Sequence, residues 1–110
     1  MITFDEFLQV EMRVGQIIAV EPNVKARQPA YLLRIDFGEE IGIKQSSAQL
    51  CDYYTEADLM HKWIIAVVNF PPKKVAGFTS EVLVLAAVNA EHQAVLITPD
   101  QPVQKGQRIL

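Results

Sequence analysis

The chain has 110 residues, half of them apolar and 21% charged, with a formal charge of −3 and an isoelectric point near 5.3. That length suits one domain burying roughly two-thirds of its unfolded surface; the composition excludes a disordered polymer, and the charge excludes a protein that coats nucleic acid indiscriminately. The single Cys51 excludes an internal disulfide, and no run approaches the ~20 apolar residues of a membrane span.

The start, Met1-Ile2-Thr3-Phe4-Asp5-Glu6, is acidic and has no apolar signal core, so a cytoplasmic, non-inserted protein is expected. Thr3 and Glu6 have capping-box spacing, with Ile2 and Phe7 where a hydrophobic staple stands, predicting a short helix. Phe4, Phe7 and Leu8 share one face of it, which needs a surface to cover it. Met12, Val14, Ile18 and Val20 share one parity and predict a half-buried strand. Gly15 inside it marks a bulge or a close backbone approach.

Residues 21–30 read as a polar loop containing Lys25 and Arg27. Tyr31, Leu33, Ile35 and Phe37 alternate against Arg34 and Asp36 as a second strand. Gly38-Glu39-Glu40 turns the chain into a third strand, Ile41–Lys44. Ser46 and Gln49 predict a capped helix through Ala48, Leu50 and Cys51, and Thr55 with Asp58 predicts another holding Leu59 and Met60. Trp63–Val68 and Val82–Val88 are continuous apolar runs, expected to be buried strands of a barrel; Ala94–Ile97 and Gln107–Leu110 are shorter ones.

Asn69–Glu81 joins the two apolar runs. Pro71-Pro72 forces a rigid, extended exit and forbids a helix. Lys73, Lys74, Gly77, Thr79 and Ser80 then place cations and hydroxyls at the edge of a β-structure. From Leu59 to Ser80 there is no acidic residue, whereas residues 1–40 hold seven carboxylates against Arg13, Lys25, Arg27 and Arg34. A local positive face on an acidic body follows.

Catalysis has no residues to rest on. His61 and His92 have no Ser or Cys nucleophile in pattern, and Cys51 reads as a small buried hydrophobe on a helix face. Asp36, Glu39 and Glu40 read as a solvated hairpin end, too few for a metal. No phosphate loop, dinucleotide fingerprint or zinc motif is present, so no cofactor and no metal are expected.

Three strands, a helical insertion and two more strands are the order of the five-stranded Greek-key OB-fold barrel. The expected fold class is therefore all-β with short helices, one domain over 1–110. Extensions at about 1–10 and 90–110 are expected to form a homodimer interface.

Several motifs add a resemblance. Glu11–Ile17, Asp36-Phe37-Gly38, Val68-Asn69-Phe70, Lys73–Gly77 and Ser80-Glu81 resemble the tRNA-binding-domain family of OB-fold modules. Asp36–Gln49, Val67–Lys74 and Pro99–Val103 are most similar to its CsaA type, an export-linked dimeric chaperone. The resemblance implies no enzymatic activity, a homodimer, and binding of tRNA or of unfolded or preprotein segments. By motif it puts nucleic-acid contacts on Asn69, Lys73, Lys74, Ser80 and Glu81. Where tRNA-binding members often read Ser-Glu-Gly-Met, this chain has Ser80-Glu81-Val82-Leu83, which counts with the acidic charge against strong tRNA binding.

Two functions stay open on these residues. A binder of extended polypeptide would use apolar Tyr53, Phe70 and Phe78, helped by strand-edge pairing. A structured-RNA binder would contact phosphate through Arg13, Lys44, Lys73 and Lys74, reach polar edges with Asn69 and Ser80, and stack a base on Phe70 or Phe78.

Overall fold

The computed structural model describes residues 1–110. Helix α1 (Phe4–Leu8) starts at Thr3, whose hydroxyl accepts from the Glu6 amide at 3.1 Å while the Glu6 carboxylate accepts from the Thr3 amide at 2.9 Å. The capping box is as expected, and the apolar face stays open: Phe4 stacks on Phe7 and is itself 67% exposed.

Strand β1 (Met12–Pro22) changes partners along its length. Met12–Gln16 pair antiparallel with β4 (Trp63–Val67), and Gln16–Pro22 pair with β2 (Tyr31–Asp36). A register shift between Ile17 and Ala19 is a bulge, and it reverses which side chains face inward. Before the shift Ile17 faces the barrel core while Val14 is buried on the opposite face, beside the C-terminal segment. After it Val20, opposite Leu33, packs against the core, so the single parity expected for Val14 and Val20 does not hold one face along the strand. Gly15 is the expected close approach. A Cβ there would lie 2.6 Å from Ile35 Cγ2 and 2.7 Å from the Phe37 ring.

β2 pairs with β3 (Ile43–Ala48), and β7 (Leu83–Val84) completes the sheet order β3-β2-β1-β4-β7. Segment 79–82 then meets the free edge of β3, and the sheet rolls into a nearly closed five-stranded barrel. Helix α2 (Glu56–Leu59), capped by Thr55 and Asp58, inserts Leu59 into one end of the barrel. Leu59 is completely buried with Ile17, Leu33, Ile35, Phe37 and Ile64, which stabilises the barrel by about 1.5–3 kcal/mol for that side chain.

Three sequence expectations give way. Ser46–Ala48 continue β3 instead of opening a helix, because the Ser46 hydroxyl is buried and donates to the Val82 carbonyl at 3.0 Å across the barrel seam. Cys51 consequently lies in a turn, half-buried, and not on a helix. Val82–Val88 is two strands, β7 and β8 (Ala86–Val88); β8 leaves the barrel to pair with β9 (Ala94–Leu96). Asn69–Glu81 is likewise more than a loop. It contains a hairpin of β5 (Lys73–Val75) and β6 (Phe78–Ser80).

The C-terminal segment runs beside the first residues of β1 without forming a regular strand. Gly106 N donates to Val14 O at 2.7 Å, Val14 N to Gln107 O at 2.9 Å, and Ile109 N to Met12 O at 3.0 Å. Lys105 pairs with Asp36 at 3.0 Å.

Candidate functional site

Two loops reach over the same side of the barrel. The first, residues 23–30, hangs on Asn23. Its amide donates to Ala30 O at 2.9 Å, its carbonyl accepts from Ala26 N at 3.3 Å, and its side-chain oxygen accepts from Lys25 N at 3.2 Å. This compact, buried anchor leaves Lys25 and Arg27 exposed. The second is the β5–β6 hairpin, whose turn residues Ala76 and Gly77 have φ of 48° and 77°, as a two-residue type I′ turn requires. The loops meet at their tips: a Cβ on Gly77 would lie 3.6 Å from Lys25 Cδ.

Between them runs a groove of two adjoining cavities. One, of about 500 Å³, is lined by Lys25, Arg27, Gln28, Gln49, Ser47 and Val75. The other, of about 400 Å³, shares Ser47 and Val75 and adds Phe70, Lys73, Glu81 and Leu83. Cations therefore come from both loops, apolar side chains from the β4–β5 exit and from β7, and amide and hydroxyl groups from the end of β3. The two-loop side of an OB barrel is a general place for extended polymers to bind.

The residues singled out from sequence distribute unevenly. Phe70, Lys73, Ser80 and Glu81 line the groove. Lys74, exposed on β5 opposite Thr79, has the other parity from Lys73. Ser80 and Glu81 also close the barrel. Glu81 N donates to Gln45 O at 2.8 Å, its carboxylate accepts from Gln45 N at 3.1 Å, and Ser80 Oγ accepts from Ser47 N at 3.2 Å. Phe78 lies apart from the groove, over Ala19 and Leu32 on the outer face of β1 and β2. Lys44 is half-buried on β3 opposite Ile35.

Three others serve elsewhere in the fold. Asn69 clips the N-terminal extension, its side-chain nitrogen donating to Gln9 O at 2.7 Å and its oxygen accepting from Glu11 N at 3.0 Å. Arg13 donates to the Glu11 carboxylate at 2.7 Å and to Gly106 O at 2.8 Å. Tyr53 is exposed near the β8–β9 hairpin, donating to Gln93 at 3.1 Å. Sequence reasoning missed Lys25, Arg27, Ser47 and Gln49 as groove residues. Once an OB order is expected, the loop after β1 lies beside the insertion after β4, and that was the available signal.

No acid–base or nucleophilic set assembles in the groove. Burial pushes the Cys51 thiol up, which keeps it protonated and unreactive. Burial, with Cys51 alongside, also raises the Tyr31 phenol, whose hydroxyl donates to Tyr54 O at 2.8 Å. No group of three or more His, Cys, Asp or Glu side chains is arranged to hold a metal ion, and no helix is long and apolar enough to cross a membrane.

Residues 12–108 match the family model described as a tRNA binding domain. The chain belongs to the tRNA-binding-domain family. Within it, the structure superposes on the CsaA chaperone of Bacillus anthracis with a TM-score of 0.94 at 47% identity, covering 100% of this chain and 99% of that one. The CsaA chaperone protein of Picrophilus torridus gives 0.92 at 47% identity, with both chains covered completely. Methionine–tRNA ligase of Thermococcus kodakarensis is 36% identical over 108 residues, which are 98% of this chain and 14% of the ligase. The chain thus spans about one-seventh of the length of the curated ligases it matches. That match covers the same residues as the tRNA binding domain. The resemblance read from Asp36–Gln49 and Val67–Lys74 is borne out by the family match and the two CsaA neighbours.

Proposed function

We propose that this protein is a non-enzymatic, cytoplasmic, homodimeric CsaA-like chaperone that holds extended segments of unfolded or precursor polypeptide, in a role linked to protein export. The observation that carries the reading is the groove between the 23–30 loop and the β5–β6 hairpin. Its mixture of Phe70, Val75 and Leu83 with Lys25, Arg27 and Lys73 suits a chain whose side chains vary along its length, and nothing in it suits bond-making. Non-native segments offer apolar side chains to the groove, and their basic flanks are drawn to the acidic body of the protein. The likeness to two proteins named as chaperones supports the same reading.

The homodimer rests on uncovered apolar side chains in the terminal extensions and in the strand that leads into the second of them. Ile2 and Phe4 of the α1 region are 70% and 67% exposed, and Val88 and Val95 of the β8–β9 hairpin are 61% and 45% exposed. A second copy would cover them.

A second reading is supported by the four cations of the two loops, Lys25, Arg27, Lys73 and Lys74, and by the family itself. It has the same surface bind tRNA as a helper protein in tRNA metabolism. Salt separates the two. About four phosphate contacts make tRNA affinity fall ~50- to 150-fold between 50 and 200 mM salt, whereas polypeptide held by apolar burial hardly weakens. Titrating purified protein with bulk tRNA and with an unfolded presequence-bearing peptide at both salts tests the proposal. Failure of the peptide to bind at either salt overturns the chaperone reading.

A further inference from the structure

A smaller cavity, of about 260 Å³, lies outside the groove on the outer face of β1 and β2. The β1 bulge creates it. Ile17 pairs with Ile35 facing the core, but after the register shift Ala19 lies opposite Arg34 and Glu21 opposite Leu32, all four on the outer face. Ala19 contributes only a methyl group, so the face is hollow at its centre. Phe78, half-buried, forms the remaining wall, and the hairpin that carries it is held by Gln45 Nε2 donating to Thr79 O at 2.8 Å.

Glu21 and Arg34 occupy diagonal positions across that hollow, a spacing of about 7–8 Å in a sheet and within reach of two long side chains. They nevertheless form no ion pair; the two pairs in the molecule are Arg13–Glu11 and Lys105–Asp36. The result is a slot with apolar walls, an aromatic ring, a carboxylate at one side and a guanidinium at the other. Its volume lies below the roughly 300–1,000 Å³ of ordinary small-molecule sites, which suits one planar ring system and not a run of peptide.

We infer that this slot takes a single unpaired guanine base of a bound RNA, an inference that rests on the RNA reading of the neighbouring loops. Guanine alone among the RNA bases presents adjacent N–H donors on one edge, for the Glu21 carboxylate, and the paired O6 and N7 acceptors on another, for the Arg34 guanidinium. Adenine would turn a lone pair towards the carboxylate. Uracil offers one N–H between two carbonyls. A phosphate is repelled by Glu21 and a basic side chain by Arg34. Phe78 supplies the stacking face, and the exposed Lys25, whose side chain lies beside Gly77 next to Phe78 in the chain, is the nearby cation for the adjoining backbone.

The test uses hexaribonucleotides with one guanine, one adenine or no purine in a uridine background, titrated by fluorescence anisotropy at low salt. The guanine oligonucleotide should bind about tenfold more tightly than the adenine one, and Glu21→Gln should reduce that preference to about twofold or less. Free guanosine monophosphate, without an adjoining backbone to reach the loop cations, should bind at least about a hundredfold more weakly than the guanine oligonucleotide. Equal affinity assigns the slot to a mononucleotide and overturns the RNA-borne base. If tRNA and all oligonucleotides bind without base preference, or the preference survives Glu21→Gln, the slot assignment falls and the RNA reading stands. If neither tRNA nor any oligonucleotide binds, both fall. An arginine- or tryptophan-bearing peptide whose affinity drops on Glu21→Gln would give the slot to polypeptide, and the guanine assignment would be overturned.

Discussion

Glu81 pairs with Gln45 as if it were a ladder residue, its amide donating to the Gln45 carbonyl at 2.8 Å and its carboxylate accepting from the Gln45 amide at 3.1 Å. One side chain thus completes the seam that the backbone of segment 79–82 cannot close alone. Glu81→Ala strands the Gln45 N–H and should cost about 1–3 kcal/mol in urea denaturation. Lys73→Ala, on the exposed side of the same groove, should stay within about 0.5 kcal/mol. Equal effects of the two would deny Glu81 its part in closing the barrel.

Gly106 ties the C-terminal segment to the barrel. Its φ is +83°, and a Cβ there would lie 2.4 Å from the Phe37 carbonyl oxygen. Gly106→Ala must therefore push the segment off β1 and break the Gly106–Val14 hydrogen bond, at a cost of about 1–3 kcal/mol. Hydrogen exchange should speed up at the Val14 and Ile109 amides while the Ile64 and Ile35 amides stay protected. Unchanged protection at Val14 would contradict the anchor.

Asp36 joins a turn to that same segment. The backbone amide of Gly38 first, and then Lys105, hold its carboxyl below the ordinary value of 3.8. A carboxyl lowered in the folded state stabilises above its unfolded value and loses that contribution as pH falls through the lowered one. Asp36→Asn should accordingly cost about 1 kcal/mol near neutrality, the half-exposed Lys105 adding little through solvent screening. The gap between mutant and wild type should close as pH drops below 3.8. A gap that is constant from pH 7 to strongly acid conditions would rule this out.

The barrel was legible because its signals are local and strong. Tyr31–Phe37 alternates cleanly, Thr3/Glu6 and Thr55/Asp58 are true capping boxes, and Trp63–Val67 is buried almost throughout. Ser46 misled because a hydroxyl three residues before Gln49 is a helix signal only if it faces water. Here it is buried and bonded to Val82, a residue 36 positions away. The β1 bulge and the departure of β8 to pair with β9 depend on contacts between distant segments, and no periodicity reports them. The site was half legible. Phe70 and Lys73 stand in a Phe-Pro-Pro-Lys-Lys run that announces a rigid cationic edge, whereas Lys25 and Arg27 become groove residues only once the barrel brings their loop to Gly77.

The apolar side chains left open on α1 and the β8–β9 hairpin lead to a statement about assembly. Light scattering after size exclusion should give twice the chain mass at micromolar concentration. Phe4→Ser with Val95→Ser should give a monomer that melts as a folded barrel, since both residues are exposed in the isolated chain. A monomeric wild type would remove the interface role of the extensions.

Ser47 is where the two cavities of the groove join. Its backbone N–H holds Ser80, so a larger side chain fills the groove without breaking the seam. The most direct test is an anisotropy titration of an unfolded, presequence-bearing peptide against wild type and Ser47→Trp at 50 and 200 mM salt. The groove account predicts at least about tenfold weaker binding to Ser47→Trp and a wild-type affinity that changes less than about twofold with salt. Undiminished binding by a folded Ser47→Trp protein would contradict it.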